Sequence, residues 1–161
     1  MSEKAEHPQP EKGSMPKCFL VDHGEFYGKE VTNGIVFVSG HDCAERELME
    51  SVRPGDLFFH LSISGLAAIG RAVSSPQRVS FPFWRYRECN PGELGYAAEV
   101  EIFLLPRPLE TASEHSGYLS LLTGERAERF LRQILQAEPE LAGAEWMQTV
   151  FPGLQYPTEK S

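Results

Sequence analysis

The pattern of apolar and polar positions along the chain predicts a mixture of strands and helices. Short runs rich in β-branched and aromatic residues predict strands at residues 18–22, 35–39, 57–62, 66–75 and 96–106. A helix at 124–137, capped by Thr123, is predicted from an apolar stripe with helical spacing: Ala127, Phe130, Leu131, Ile134 and Leu135. A shorter helix is expected at 43–51, with Asp42 as its N-cap.

Glycines mark the predicted connections. Ile63–Gly65 predicts a hairpin between the strands at 57–62 and 66–75, with glycine where a positive φ is needed. Residues 23–34, which contain three glycines, and residues 112–120 are predicted to be loops. Strands joined by hairpins, together with two or three helices, indicate an α+β fold: a curved, antiparallel or mixed sheet, or an open barrel, flanked by helices.

Length and composition favour one globular domain. The chain has 161 residues, of which 41% are hydrophobic and 24% charged, and we expect a single domain over residues 17–158. Residues 1–16 are polar and without periodicity, so a disordered tail is predicted there. No apolar run is long enough to span a bilayer and no secretory signal is evident, so a cytoplasmic location is expected.

The charge is distributed unevenly. The net charge is −8, yet residues 51–108 carry +1, and the segment from Arg71 to Arg87 contains four arginines (Arg71, Arg78, Arg85 and Arg87) and no acid. Aromatic residues lie among these arginines: Phe81, Phe83, Trp84 and Tyr86. This mixture suits phosphate contact together with base stacking. The alternative is an exposed loop whose aromatic residues close the edge of a core.

No motif for catalysis or metal binding is found. Glycine-rich phosphate loops, nucleophile elbows and paired metal-ligating histidines are absent, and three widely spaced cysteines favour neither a disulfide scaffold nor a zinc site. We therefore expect a protein that is not an enzyme and has no cofactor or metal. Asp56 is predicted to cap a turn, and His60 to be a hydrogen-bonded structural histidine.

One part of the chain resembles a known family. Val52–His60 and Ala68–Val73 are similar to the core of the PUA-like superfamily: glycine-aspartate, an apolar strand, a turn, then a strand with isoleucine-glycine. The closest resemblance is to EVE domains, with a more distant one to YTH domains, and it extends loosely over residues 18–109. It implies a PUA-like fold and a non-catalytic reader of a modified base. For EVE domains that base is a modified cytosine such as 5-methylcytosine in DNA, and for YTH domains a methylated adenine in RNA.

The resemblance also implies a site. Trp84 and Phe83 match the family's aromatic loop, Leu94 matches the apolar wall before the long strand, and Asp22 and His23 match polar groups at the end of the first strand. The family's second strand carries a tryptophan, where this chain has Phe37, Val38 and Ser39. Ser62 could also bind the base edge. Contacts with the nucleic-acid backbone would come from the four arginines: Arg71, Arg78, Arg85 and Arg87.

Three classes of function stay open. The first is a reader of modified nucleic acid, with DNA favoured over RNA. Such a reader could serve as the recognition module of a modification-dependent restriction system with a fused or associated nuclease. The second is a protein-interaction module whose acidic segments, residues 18–50 and 109–161, bind a partner. The third is a small-molecule enzyme whose active-site residues follow no recognised pattern.

Overall fold

The fold is α+β. The computed structural model describes residues 16–39, 41, 43–80, 94–111 and 117–150. The strands are β1 (Cys18–Gly24), β2 (Ile35–Val38), β3 (Leu57–Ser62), β4 (Gly65–Ala72), β5 (Gln77–Ser80), β6 (Leu94–Leu109) and β7 (Leu119–Leu122). The helices are α1 (Tyr27–Asn33), α2 (Cys43–Glu50), α3 (Gly124–Ala137) and α4 (Glu145–Val150), with a 3-10 helix at Pro139–Gly143.

The strands form one mixed sheet in the order β2-β6-β4-β3-β1-β7, and β5 pairs with β6. β1 runs parallel to β3, and the other pairs are antiparallel. The chain divides into two compact units after Leu122, so that the sheet, α1 and α2 belong to the first unit. The curled mixed sheet confirms the α+β class and is consistent with a PUA-like fold. The single domain over residues 17–158 stays a prediction.

A buried apolar cluster of the first unit joins β1, β2, β3 and α2. Phe19 of β1 stacks on Phe58 of β3 with ring centroids 5.2 Å apart. The same cluster contains Val36 and Val38 of β2 and Met49 of α2, all buried. Burial of such residues supplies most of the stabilising free energy of a domain of this size. The cluster also contains residues of β1, β2 and β3, although β2 is not a neighbour of β1 or β3 in the sheet order.

Register shifts occur at one level of the sheet. His23 is an extra residue in β1 relative to β3, and Ala67 is an extra residue in β4 relative to β3. Residues 105–108 of β6 lie opposite Ala67 alone. Bulges of this kind bend strands and change the direction in which side chains point. His23, at the bulge in β1, is buried.

Two predicted turns are confirmed. Gly65 has a φ of 124° in the β3–β4 connection, and a Cβ there would collide with the carbonyl oxygen of Leu109. Asp56 accepts hydrogen bonds from the backbone N–H of Arg53, at 2.9 Å, and of Lys17, at 3.0 Å. The carboxylate thus caps the turn before β3 and ties the chain before β1 to it.

The second unit begins with α3, which has the predicted bounds. Thr123 precedes it in an extended conformation, and its side chain accepts a hydrogen bond from the N–H of Arg126 at 3.2 Å. The predicted apolar stripe is buried throughout. None of the helices in the described part of the chain is long and apolar enough to cross a membrane.

Three local predictions are wrong. Residues 27–33, predicted to be loop, form α1, and the glycine of Asn33-Gly34 ends this helix in the left-handed conformation, with φ of 65°. β5 was not predicted, because its residues are polar and mostly exposed. Residues 119–120 belong to β7 instead of the loop predicted over 112–120. The predicted cap Asp42 lies outside the described residues, as do residues 1–15 of the tail that was predicted to be disordered over 1–16.

Candidate functional site

The two edge strands, β2 and β7, are bridged by the side chain of Tyr118, which immediately precedes β7. Its hydroxyl accepts a hydrogen bond from the backbone N–H of Phe37 on β2 at 3.0 Å. Its carbonyl oxygen accepts one from the N–H of Asp22, near the end of β1, at 2.8 Å. β1 and β2 are not neighbours in the sheet, yet these two backbone segments lie one tyrosine side chain apart. We call Asp22, Phe37 and Tyr118 the seam.

Tyr118 also belongs to a chain of polar side chains that we call the polar cluster. It consists of the half-buried Tyr118 and the buried Glu30, His23 and His60. The hydroxyl of Tyr118 donates to Oε1 of Glu30 at 2.6 Å, and Nδ1 of His23 lies 2.7 Å from the same oxygen. Nε2 of His23 lies 2.7 Å from Nδ1 of His60. A buried carboxylate is costly unless its oxygens have hydrogen-bond partners, and Oε1 of Glu30 has two of them.

These contacts join the two histidines to Glu30 in one chain. An ionised carboxylate only accepts, so Nδ1–H of His23 is the donor towards a charged Glu30. One proton lies between Nε2 of His23 and Nδ1 of His60. The rings of Tyr27 and Tyr118 pack edge-on against His23, with centroids 5.7 and 5.8 Å away.

His60 has one engaged and one unengaged ring nitrogen. Its Nε2 faces Gly70 on β4, where a Cβ would collide with it, and forms no hydrogen bond within the described part of the chain. Burial, and secondly the neighbouring His23, lower the pKa of His60 well below its ordinary value. The predicted hydrogen-bonded structural histidine is thus confirmed at Nδ1 and wrong at Nε2. The ring resists protonation because a second N–H would have no acceptor there.

A three-stranded patch lies at the start of β6. β2 pairs with residues 96–99 on one side of β6, and β5 pairs with residues 94–97 on the other. Tyr96 is therefore opposite Val38 in one ladder and opposite Arg78 in the other, and the guanidinium of Arg78 lies 6.0 Å from the centre of the Tyr96 ring. Phe37 is buried beside Gly95, whose missing side chain leaves room for the phenylalanine ring.

Several predicted site residues lie in or beside the seam and this patch. Leu94 is 46% exposed at the first position of β6, where an apolar side chain on the surface is available for contact. Asp22 and Ser39, at the ends of β1 and β2, are half-buried. The Asp22 carboxylate accepts from the N–H of Gly24 at 3.2 Å, and the Ser39 hydroxyl accepts from the N–H of His41 at 3.0 Å.

Other predicted residues have different surroundings. Both ring nitrogens of His23 are engaged in the polar cluster, and Val38 packs in the core. Arg71 forms an ion pair with Glu101 at 2.6 Å. Phe83, Trp84, Arg85 and Arg87 lie outside the described residues, so their roles stay predictions.

Ser62 lines a cleft at the level of the register shifts. Its hydroxyl donates to the carbonyl oxygen of Gly65 at 3.2 Å and accepts from the N–H of Ser64 at 3.1 Å. The cleft has a volume of about 530 Å³ and is lined by Gly24, Glu25, Tyr27, Gly28, Ser62–Ser64, Ala67 and Leu104–Pro108. The apolar side chains of Ile63 and Leu104 on its rim are 82% and 62% exposed. The sequence did not predict this cleft.

Glu30 and Tyr118 were also missed by sequence reasoning. Both fell in segments predicted to be loops, and the residues that they contact are far away in the chain: Tyr118 is 88 positions from Glu30 and 81 from Phe37. The sequence feature that could have indicated a buried carboxylate was the position of Glu30 beside the apolar Val31. That signal alone does not identify a buried carboxylate.

Comparisons with known proteins show a shared fold. No protein-family model and no curated protein matches the chain. A protein from Pseudomonas putida superposes with a TM-score of 0.52 at 15% identity, covering 73% of this chain and 99% of its own. A hypothetical protein from Leishmania major also gives 0.52, at 10% identity, covering 77% and 98%. At such identities these likenesses show the fold alone.

A YTH domain from Zygosaccharomyces rouxii, solved in complex with N6-methyladenosine RNA, superposes with a lower TM-score of 0.47 at 14% identity. The superposition covers 80% of this chain and 95% of that domain. Membership of the EVE family stays a prediction. The chain thus shares its α+β fold with the Pseudomonas putida and Leishmania major proteins, and this fold is consistent with a PUA-like fold.

Proposed function

We propose that this chain is a non-catalytic reader that binds a modified nucleobase at the seam and the adjoining patch. The observation that carries the proposal is the link that Tyr118 makes between β1 and β2, with β2 paired to the start of β6. Asp22 and Ser39 offer half-buried polar groups at the ends of β1 and β2, Leu94 offers an exposed apolar side chain at the start of β6, and Arg78 offers a cation on β5. A base ligand presents the matching features, namely a polar edge, an apolar face and a neighbouring phosphate.

Each group has a definite chemical task in this proposal. The carboxylate of Asp22 accepts a hydrogen bond from an exocyclic amine, which cytosine and adenine both carry. Leu94 provides an apolar wall against a methyl group on the base. Arg78 contacts phosphate, and its packing over Tyr96 orients the guanidinium before the ligand arrives.

The energetics require all of these contacts together. Extruding a base from a duplex costs a few kcal/mol, and stacking it on one aromatic side chain returns about 1–3 kcal/mol. Stacking on Trp84, the aromatic residue that the family resemblance assigns to this role, therefore does not suffice alone. Hydrogen bonds to the base edge and phosphate contacts supply the remainder.

Modified cytosine in DNA is the proposed ligand, and a nuclease that is fused to this reader or associated with it is the proposed partner. Methylated adenine in RNA is the second ligand to test, since the YTH neighbour was solved with N6-methyladenosine RNA. The proposed reader binds without changing its ligand. Incubating the pure protein with labelled oligonucleotides should return them intact, and any cleavage or base release would contradict a non-catalytic role.

The decisive experiment compares matched oligonucleotides. Binding of DNA and RNA, each with one modified or one plain base, is measured by fluorescence anisotropy for the wild type, Trp84→Ala and Leu94→Ala. Leu121→Ala is the control for Leu94→Ala, because Leu121 is 49% exposed on a strand outside the patch. We expect both site variants to lose preference for the modified base and the control to keep it. Equal affinity of the wild type for modified and plain oligonucleotides would overturn the proposal.

A further inference from the structure

Tyr118 contacts more of the surrounding elements than its place in a short surface segment suggests. Its N–H and that of Leu119 donate to the carboxylate of Glu45 on α2, at 2.7 and 3.2 Å. Its carbonyl holds the N–H of Asp22, and its hydroxyl joins the N–H of Phe37 to Glu30. One residue thus connects β1, β2, α1 and α2.

The hydroxyl lies where the sheet has no backbone ladder. β2 and β7 are the two ends of the strand order, and no pairing between them is present in the described part of the chain. The Phe37 N–H points across this gap and is satisfied by the Tyr118 oxygen. The Tyr118 hydroxyl donates its hydrogen bond to Glu30, so its oxygen lone pairs face the Phe37 N–H. The same carboxylate oxygen of Glu30 is in contact with His23.

We infer that Tyr118 is a positioning residue of the proposed site, fixing through its hydroxyl the separation between the β1 and β2 strand ends that flank the base. The inference rests on the proposed function. Asp22 and Ser39 belong to different strands that are not hydrogen-bonded to each other. Their side chains can bind one base edge together only if the backbones of β1 and β2 are held at a constant distance. Tyr118 is hydrogen-bonded to both strands, at Asp22 of β1 and at Phe37 of β2.

Removing the hydroxyl should act on both of its partners. In Tyr118→Phe the Phe37 N–H loses its acceptor and Glu30 loses a donor, while the ring can still pack against His23. The edge of β2 becomes free to move relative to β1. Loss of a buried hydrogen bond of this kind corresponds to roughly a tenfold change in the equilibrium it controls.

Tyr27→Phe provides a matched control. Tyr27 packs edge-on against the same histidine at nearly the same distance as Tyr118, 5.7 against 5.8 Å. Its hydroxyl forms no hydrogen bond with the described residues. The two variants therefore remove the same atom from the same residue type, and they differ in whether that atom bridges the seam.

Two measurements on full-length protein test the inference. Amide hydrogen exchange followed by NMR reports the opening of the Phe37 N–H, and anisotropy reports the ratio of affinities for modified and plain oligonucleotides. In Tyr118→Phe we expect Phe37 exchange to be about tenfold faster and the affinity ratio to fall about tenfold. Tyr27→Phe should match the wild type in both. If Tyr118→Phe does not fold, Glu30→Gln, which weakens the acceptor of the tyrosine proton, should show smaller changes of the same sign.

The outcomes separate this inference from the proposed function. Unchanged Phe37 exchange in a folded variant overturns the inference whatever the binding data are. Faster exchange with an unchanged affinity ratio also overturns it, because Tyr118 then supports the fold without positioning the site. If the wild type binds no modified oligonucleotide, the proposed function fails and so does a positioning role for a base ligand. Faster exchange would in that case identify Tyr118 only as the link between strands.

Discussion

As the pH falls, this protein should begin to lose stability at a higher pH than the titration of its carboxylates alone would explain. His60 is completely buried, and burial together with His23 lowers the pKa of its ring well below the ordinary value near 6.5. In the unfolded chain the ring titrates at that ordinary value. Below pH 6.5 the unfolded state binds a proton that the folded state does not. The contribution of His60 to stability is therefore fully present above pH 6.5 and is lost as the pH falls towards the lowered pKa of the folded state.

The size of the effect follows from linkage. One proton bound only by the unfolded state changes the free energy of unfolding by at most about 1.4 kcal/mol per pH unit. Between pH 7.5 and 5.5 the loss attributable to His60 should therefore reach about 1.4 kcal/mol, a substantial part of a typical stability of roughly 5–15 kcal/mol. Most carboxylates stay ionised over this interval, which separates their contribution from that of the histidine.

The assay is urea denaturation at half-unit steps of pH over this interval, for the wild type and His60→Gln. Glutamine does not titrate and keeps an N–H that can reach His23. The free energy of unfolding should therefore fall less steeply with decreasing pH in the variant than in the wild type, and the difference between the two slopes is the contribution of His60. NMR of the histidine ring in the wild type checks the cause directly. A His60 ring that titrates at its ordinary pKa in the folded protein, or equal slopes for the two proteins, would refute the reasoning.

Three further predictions concern packing, capping and charge. Gly70→Ala places a methyl group against Nε2 of His60 and should cost about 1–3 kcal/mol of stability in denaturant unfolding; a neutral result would mean that the ring can move away. Thr123→Ala removes the cap of α3 and should cost about 1 kcal/mol by the same method, whereas no loss would show that water replaces the hydroxyl. Arg78→Ala should reduce the slope of log K against log salt for duplex DNA by about one, with exposed Arg129→Ala on α3 as the unchanged control; equal slopes would remove Arg78 from the phosphate contacts.

The elements predicted correctly are those whose local pattern decides their structure. α3 has a full helical stripe and a threonine cap, and β3–β4 has two apolar runs around a glycine turn, so both follow from neighbouring residues. α1 has only seven residues and contains Gly28 and Asn33, which disfavour a helix. Its buried Glu30 is bonded to residues of β1 and the segment before β7, contacts that local propensity does not reveal.

The candidate site was predicted in part, through the resemblance to EVE domains. The resemblance assigned Asp22 and Leu94 to the site, and Ser39 belongs to the segment where the family carries a tryptophan. The link that Tyr118 makes between β1 and β2 could not be predicted from the sequence. Tyr118 bridges edge strands that are far apart in sequence and do not pair, and only the curvature of the sheet brings its hydroxyl to Phe37.

The most direct test of the proposed function is an NMR titration of the isotopically labelled protein with a short oligonucleotide carrying one modified base, beside its plain counterpart. The modified oligonucleotide should shift the amide signals of Asp22, Ser39 and Leu94 at concentrations where the plain one does not. The amides of Ser62–Ser64 in the hairpin cleft should stay unshifted. Equal shifts with both oligonucleotides, or shifts confined to the hairpin cleft, would contradict a modified-base reader that binds its ligand at the seam.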